Sequence, residues 1–529
     1  MGNGRSRRAD LWLGFDSVRH RLSLDAVTWR FAYLAAACLV AACSSLQRAG
    51  PPGTYNGAWS IYLANLGTFS SPRAADLNGD GVADIILGAG RQEFMATDTA
   101  VVALDGRTGR LLWRVGARDQ IFGSAALHDL TRDGVMDVVI GGRSAELIAI
   151  EGATGNVLWR FFADGDTDAI RTAGLYNFYN PQFIEDQDGD GVADLLVANG
   201  GDVLATPEDH ERPPGRLMII SGRTGGTIAQ AHMPDSRETY MSPLVADFDA
   251  DGEIDVVFGT GGETVGGHLF RARLSDVLAG DLSPAVELAA SDDRGFIGPP
   301  VLADITGDGI LDLIANSVDG RMLAFDGSDD RPLWTVQLPL AESYTSPAVG
   351  YFTDDDVPDF FAVYATGTWP HLGWSQQIMV DGRTGAIGFA DSLGLYQTSS
   401  PVAVDLTGDG RDEVILPVNY QVVTALHQKR FFTMLVAIDF STGSVVQFGD
   451  PLDGSNLAAT PWIGDLDGDG MLDVVTTNTP DTLHTYVFNG LQVNRITTEI
   501  PVAAELPWGA YMGSRLDGIF HAPRRGRTD

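Results

Sequence analysis

Asp76-Leu-Asn-Gly-Asp-Gly-Val-Ala-Asp84 carries acids or an amide at positions 1, 3, 5 and 9 and a glycine at position 6. The same pattern, D-x-[D/N/T]-x-D-G-x-x-[D/E], returns at 129–137, 186–194, 247–255, 304–312, 405–413 and 465–473. A degraded eighth copy lies at 351–359, where Tyr351 replaces the first Asp and Asp356 the Gly. The copies start about 56 residues apart. Self-similarity at such a period marks a repeat architecture, in which one supersecondary unit stacks on the next.

The flanks of each copy repeat as well. Ser71-Pro72, Ser242-Pro243 or Ser400-Pro401 opens a short run before it, and an apolar run such as Ile85–Leu87 or Val138–Ile140 follows. Short β-branched runs bounded by Gly, Pro and Asp read as strands, and nothing between them sustains a helical period. A third strand then leads to a turn, Asp105-Gly-Arg-Thr-Gly109, and a fourth strand with Trp113; the turn recurs at 151–155, 221–225 and 381–385. Four short strands per unit and eight units predict an all-β propeller of eight four-stranded blades, or of seven if the degraded copy is not a blade. Trp59–Tyr62 precedes the first Ser-Pro as the Trp strands do later, so it is expected to complete the C-terminal blade and close the ring. Trp113, Trp159 and Trp334 read as docking residues between blades, and so do the aromatics Phe69, Phe122, Tyr179, Tyr240 and Tyr344, each seven residues ahead of a first ligand.

These residues carry a resemblance. The first half of each unit resembles the FG-GAP (VCBS) repeat of integrin-α-type propellers, with Phe122-Gly123 at the "FG" position. The second half is similar to the tryptophan-docking turn of quinoprotein-like (PQQ-type) propellers. The resemblance covers about residues 55–515 and implies fold more than activity.

The nine-residue pattern has its own chemistry. Ca²⁺ takes six to eight oxygens at about 2.3–2.6 Å, and side chains at positions 1, 3, 5 and 9 with the carbonyl at 7 supply them around a turning glycine. The expected ligand sets are Asp76, Asn78, Asp80, Val82 and Asp84; Asp129, Thr131, Asp133, Val135 and Asp137; Asp186, Asp188, Asp190, Val192 and Asp194; and Asp247, Asp249, Asp251, Glu253 and Asp255. The later sets are Asp304, Thr306, Asp308, Ile310 and Asp312; Asp405, Thr407, Asp409, Arg411 and Glu413; and Asp465, Asp467, Asp469, Met471 and Asp473. Up to seven structural Ca²⁺ ions follow, bound best at 76, 186, 247 and 465, where position 3 is Asp or Asn. The alternative is an Asx-turn hairpin with solvated acids. An EF-hand fails, because position 12 is Leu87 or Val197 inside a strand.

Charge then has an address. The 529-residue chain has 70 acids against 35 Lys and Arg, a net −35, and 30 of those acids lie in the eight segments. No basic footprint remains for a nucleic acid. At the N-terminus, an apolar run at 31–42 after several arginines reads as a signal peptide, and Leu39-Val-Ala-Ala-Cys43-Ser-Ser45 resembles a bacterial lipobox. Its cysteine, Cys43, would be lipidated, and the serine after it goes with the outer membrane. Removing 1–42 takes six Arg and three Asp and leaves −38. The reading divides the chain into a signal peptide (1–42), a linker (43–56), the propeller (57–515) and a C-terminal tail (516–529).

The uneven insertions fall on the face opposite the acidic loops, where recognition residues usually sit. They offer His210, Trp369, His371, Trp374, His427 and Lys429 as a ligand face for a protein or polysaccharide. The expected function is a calcium-stabilised, lipid-anchored envelope scaffold or adhesion module without catalytic residues. The alternative is a calcium-dependent carbohydrate-active enzyme resembling propeller polysaccharide lyases, which needs a basic or phenolic group near a charge-neutralising Arg. A quinoprotein dehydrogenase is the third option, and it would normally add a vicinal Cys pair.

Overall fold

The computed structural model describes residues 47–48 and 58–522, except 163–166, 207–208, 396, 485–486 and 503–505. The signal sequence and Cys43 lie outside the described residues. Two compact units divide the chain, 1–47 and 48–529, and all the described residues but Gln47 belong to the second.

Each acidic loop joins the first strand of a blade to the second. In blade 1 the strands Arg73–Ala75, Asp84–Gly88, Thr97–Leu104 and Leu111–Ala117 pair antiparallel in that order. Seven further sheets repeat this order, so the propeller has eight blades, and the degraded copy serves a complete one, from Ala348–Gly350 to Ile387–Asp391. Blade 8 takes Trp462–Gly464, Met471–Asn478 and Gly490–Pro501 from the C-terminal part and Trp59–Ala64 as its outer strand. The ring therefore closes through six pairs from Trp59–Arg495 to Ala64–Gly490, as expected from the sequence.

The core is a series of apolar layers between blades. Ile86, Val101 and Trp113 of blade 1 meet Val138 and Ile148 of blade 2, and the second strands are buried on both faces. Each docking tryptophan spans one layer: the indole N–H groups of Trp59, Trp113, Trp159 and Trp334 donate to the carbonyls of Gly106, Gly152, Gly222 and Gly382 at 2.7–2.8 Å. The ring of Trp113 lies on Gly155, which is left-handed (φ +76°) and where a Cβ would stand 2.6 Å from it, so this turn needs glycine on two counts.

The Ser-Pro dipeptide proves to be a belt. The Ser71 amide donates to Ser124 Oγ, Ser124 to Asn180 Oδ1, Asn180 to Ser242 Oγ, Ser346 to Ser400 Oγ, Ser400 to Thr460 Oγ1, and Thr460 back to Ser71 Oγ. Pro299 occupies the equivalent place in blade 5, two residues ahead of Val301, and offers neither a side-chain oxygen nor an amide N–H, which interrupts the belt there.

After its last strand the chain returns to the ring axis. Trp508 and Ile519 bridge to Ala403 and Leu302 in the innermost strands of blades 7 and 5, and the Gly509 carbonyl accepts from Ile463 of blade 8. Arg73 of blade 1 donates to the Tyr511 carbonyl at 2.9 Å, Gln182 of blade 3 to that of Leu516 at 3.3 Å, and Phe520 meets the Tyr351 ring of blade 6 at 5.5 Å. Trp508, Met512 and Phe520 are buried. The segment from 506 to 521, part of which the sequence suggests is a tail, is an axial plug.

Candidate metal loops and the mouth of the ring

The acidic loops share one hydrogen-bond scheme. Asp76 accepts from the Gly79 and Gly81 amides at 2.7 and 3.0 Å, and Asp80 from Val82 at 2.9 Å; Asp186 and Asp190 repeat this with Gly189, Gly191 and Val192. Glycine at position 6 is left-handed in all seven full copies, φ +82° to +89°, which explains its retention. Position 4 is left-handed too, and in the copies at 129 and 247 it is Arg132 and Ala250, at a conformational cost.

Position 9 does a separate job. The buried Asp84 carboxylate accepts from Leu77 and from Gly106, so it ties its own loop to the turn between strands three and four. Asp194 does the same with Gln187 and Gly222, and Asp312 with Ile305, Thr306 and Gly327. In the degraded copy Asp359 still accepts from Phe352, Thr353 and Gly382. Burial pushes Asp359 up to about 6 and Asp255 and Glu413 up to about 7.

Among the described residues, three loops bring acids within 4.8 Å of one another: Asp186, Asp188 and Asp194; Asp247, Asp249 and Asp251; and Asp465, Asp467 and Asp473. Hard oxygen donors at this spacing fit Ca²⁺. Guanidinium groups distinguish them. Arg495 spans the third group, 2.6 Å from Asp467 and 2.9 Å from Asp473, and Arg271 and Arg273 lie 3.3 and 2.7 Å from Asp249 and Asp251. At the first group Arg223 pairs with Asp190 at 3.1 Å and Arg132 reaches the Gly191 carbonyl, which leaves Asp186, Asp188 and Asp194 without an ion pair among the described residues. In the 76–84 loop the Asn78 amide donates to Asp84 at 3.3 Å, and three acids are not gathered.

On the opposite face, the second-to-third-strand loops and blade connections build a different site. Glu238, 2% exposed, accepts from the Tyr240 hydroxyl at 3.0 Å and lies 3.6 Å from Arg212. Glu342, equally buried, accepts from the Tyr344 hydroxyl at 2.7 Å, the Trp369 amide at 2.9 Å and Arg294 at 3.0 Å. The rings of Phe122, Tyr179 and Tyr240 touch in succession, centroids 5.5 and 6.1 Å apart, so the aromatic period packs blade on blade as expected. Arg143 lies over Phe122 at 5.5 Å and pairs with Glu93 at 2.5 Å. Glu263 on blade 4 is half-buried, and desolvation pushes its carboxyl up. Gly262 presses against this group; a Cβ there would be 2.9 Å from the Tyr240 ring.

Of the six ligand-face residues expected from sequence, only Trp369 reaches this cluster. His210, His371 and Lys429 are exposed on separate blades, His427 sits at a hairpin tip with φ +59°, and Trp374 is 53% exposed beside Leu395. Sequence reasoning missed Glu238, Glu342, Arg212, Arg294 and Glu263. Part of the signal was present: Glu238-Thr-Tyr240-Met-Ser-Pro243 and Glu342-Ser-Tyr344-Thr-Ser-Pro347 are one motif used twice.

Glu238 makes a measurable pH dependence. Burial raises it from its ordinary 4.5 to about 7, against the pull of Arg212 and the Tyr240 hydroxyl. The folded chain holds this proton after the unfolded chain has lost it, so its contribution falls as pH rises from about 4.5 to 7, by about 3 kcal/mol at most. Glu238→Gln should remove that slope: the denaturation midpoint of the variant relative to wild type rises between pH 5 and pH 8. An unchanged difference across that range would contradict the assignment.

Comparisons with known proteins agree with the fold. Residues 80–265 match the family model described as outer membrane protein assembly factor BamB. Protein FAM234B of Homo sapiens is 24% identical over 388 residues, 68% of this chain and 58% of its own length, and that of Gallus gallus is 24% identical over 366 residues. The chain thus spans a little over half the length of the curated relatives it matches. Among solved structures, quinohemoprotein alcohol dehydrogenase ADHIIG from Pseudomonas putida HK5 superposes with a TM-score of 0.54 at 13% identity, covering 85% of this chain and 77% of that one. A europium-containing methanol dehydrogenase has the same TM-score and identity, covering 85% and 95%. The fold is a PQQ-like, eight-bladed propeller, a scaffold on which both ligand binding and catalysis occur.

Proposed function

We propose that the chain is an exported, lipid-anchored propeller of the outer membrane that binds a glycan at the mouth of its ring, with Ca²⁺ in its acidic loops as a structural ion. The observation that carries this is the convergence of two Tyr–Glu–Arg sets on one face: Tyr240 and Glu238, the latter paired with Arg212, lie against Gly262, whose carbonyl accepts from Gly295, and the adjacent Arg294 donates to Glu342, which also holds Tyr344. Phenol faces stack on sugar rings, and desolvated carboxylates and guanidiniums take their hydroxyls. The Cys43 lipobox and the match to an outer-membrane assembly factor support the location. Kinship with FG-GAP repeats is supported by the loops between the first two strands. Asp186, Asp188, Asp190 and Asp194 with the Val192 carbonyl are the strongest ligand set, and Arg495 argues against full occupancy at 465–473.

One observation favours an enzyme. A phenol 3.0 Å from a carboxylate that an arginine approaches to 3.6 Å is the kind of group set that proton abstraction beside a sugar carboxylate requires. The quinoprotein reading gains less, because Trp508, Met512 and Phe520 pack the axis.

A glycan array and an envelope pull-down, each with Ca²⁺ and with chelator, test the proposal. Oligosaccharides should be retained, and retention should be lost in a Tyr240→Ala, Tyr344→Ala double variant. Chelator should lower the melting temperature by a few degrees, as loss of an ion bound to the folded state does. An unmoved melting temperature would remove the calcium claim, and release of unsaturated sugar ends would establish the enzyme.

A further inference from the structure

Two blades carry hairpins that outrun the others. Counted from the position-9 carboxylate, the second strand has 5 residues in blade 1, Asp84–Gly88, and 11 in blade 7, Glu413–Val423, where it pairs with Lys429–Asp439 as far as Val423–Lys429. The surplus, at about 3.3 Å per residue, carries the blade 7 hairpin about 20 Å further out on the mouth face. The blade 6 hairpin is nearly as long, but its tip is tied down, because the Trp369 amide donates to Glu342. The blade 7 tip stands free. The outer strand Ser444–Asp453 accompanies it only to Phe432, opposite Asp453, and the Phe431 amide donates to the Thr482 carbonyl. Beyond that level, the hydrogen bonds of residues 422–430 among the described residues stay within the hairpin, with the Thr424 amide donating to the Gln428 carbonyl and the His427 amide to that of Thr424.

This free ribbon is apolar and basic together. Val422, Val423 and Leu426 are 44, 57 and 79% exposed. The tip reads Val422-Val-Thr-Ala-Leu-His-Gln-Lys-Arg430, with two permanent cations and no acid, in a chain of net charge −35 whose single lysine is Lys429. Lys429 and Arg430 are exposed and form no ion pair among the described residues.

The arrangement selects its partner. Successive strand residues point to opposite faces, so Val422 and Val423 expose apolar surface on both sides of the ribbon. A protein surface would cover one side, and a two-stranded tip offers far less than the area of about 800 Å² per partner that a stable protein interface buries. The boundary between lipid headgroups and acyl chains surrounds whatever enters it, takes valine and leucine, and leaves lysine and arginine at the phosphates. An anionic bilayer that draws this tip repels the acidic remainder of the ring, which fixes the end that approaches.

We propose that the blade 7 tip, residues 422–430, is a membrane contact that enters an anionic bilayer surface, with Val422, Val423 and Leu426 at the acyl boundary and Lys429 and Arg430 on lipid phosphates. The mouth of the ring then faces the bilayer. This rests on the exported, lipid-anchored location proposed above, which brings a membrane within reach.

Co-sedimentation with vesicles tests the proposal, using the full chain with Cys38 and Cys43 replaced by serine so that no acyl group contributes; the leader is common to every variant, so differences report the tip. Vesicles of equal parts phosphatidylcholine and phosphatidylglycerol should bind the chain more tightly than phosphatidylcholine alone. Lys429→Glu with Arg430→Glu, or Leu426→Asp, should weaken the anionic binding by about tenfold or more and leave the melting temperature unchanged. A polarity-sensitive fluorophore on Ala425→Cys should shift to the blue on the anionic vesicles, and one on Ala153→Cys, exposed in a turn of the opposite face, should not. Equal binding to both lipids, or anionic binding that survives the charge reversal with no shift at 425, would overturn the proposal. Tip-dependent retention of polyglutamate without vesicle binding would make the partner an acidic protein and overturn the lipid. Palmitate labelling of cells tests the anchor separately: an unlabelled Cys43 with the vesicle result intact would remove the anchor and keep the tip.

Discussion

Asp194→Ala should destabilise the fold by about 2–5 kcal/mol, while Asp188→Ala, four positions from the glycine-bounded turn's exit, should cost little beyond any bound ion. The difference lies in what each carboxylate holds. Asp194 is buried and accepts the Gln187 amide at 2.6 Å and the Gly222 amide at 3.0 Å, and each buried donor left without a partner costs about 1–3 kcal/mol. Asp188 is exposed and accepts one local amide, that of Asp190. Asn at 194 should recover only part of the loss, because both oxygens face donors and one would become an NH₂. The same substitution at Asp359 separates the staple from the ion. That loop has lost its first Asp and its glycine, yet Asp359 keeps three backbone donors. Asp359→Ala should therefore destabilise comparably by denaturant midpoint, and by the same amount with and without chelator. A loss at 359 that disappears in chelator would show that the degraded loop binds metal after all.

This changes what the repeated acid can be taken to mean. Retention of position 9 in every copy looks like a metal ligand set, but Asp359 shows that the position would be kept for the backbone alone. The period, the strand order and the ring closure were legible because they are local: glycine at position 6, the Ser-Pro step and the tryptophan turn each recur within one unit. Arg495 was not legible as a rival for the 465–473 site, since it lies 22 residues beyond Asp473 on the third strand and nothing in the motif announces it. The mouth was half legible. Tyr240 and Tyr344 fell on the aromatic period, but their partners Glu238 and Glu342 are two residues upstream in connections that share no pattern with the other blades, and Glu263 and Arg212 come from loops of unrelated length. The axial plug left no trace, because 506–521 has neither the strand alternation nor the acidic loop that marks the rest of the chain.

That plug sets the other large effect. Trp508→Ala should cost about 3–5 kcal/mol, near the top of the range for removing a buried aromatic, because the ring is 1% exposed and packed in the cluster that joins blades 5, 6 and 7. The neighbouring strands are fixed by their own ladders and cannot collapse into the space, so the cavity term should be close to full. The backbone at 508 should stay where it is, since the Ala403 amide still donates to its carbonyl and Ile463 to that of Gly509. Arg73→Met offers a contrast at the same axis. Its guanidinium is buried, donates to the carbonyls of Ala125 and Tyr511, and is driven down to about 10 by desolvation with only the Tyr511 ring opposing. Replacing a buried cation that has no carboxylate partner among the described residues removes a desolvation cost as well as two hydrogen bonds, so the net change should be much smaller than at Trp508. If Trp508→Ala unfolds at the wild-type denaturant midpoint, the segment is a passenger in the channel rather than part of the core that holds eight blades in one ring.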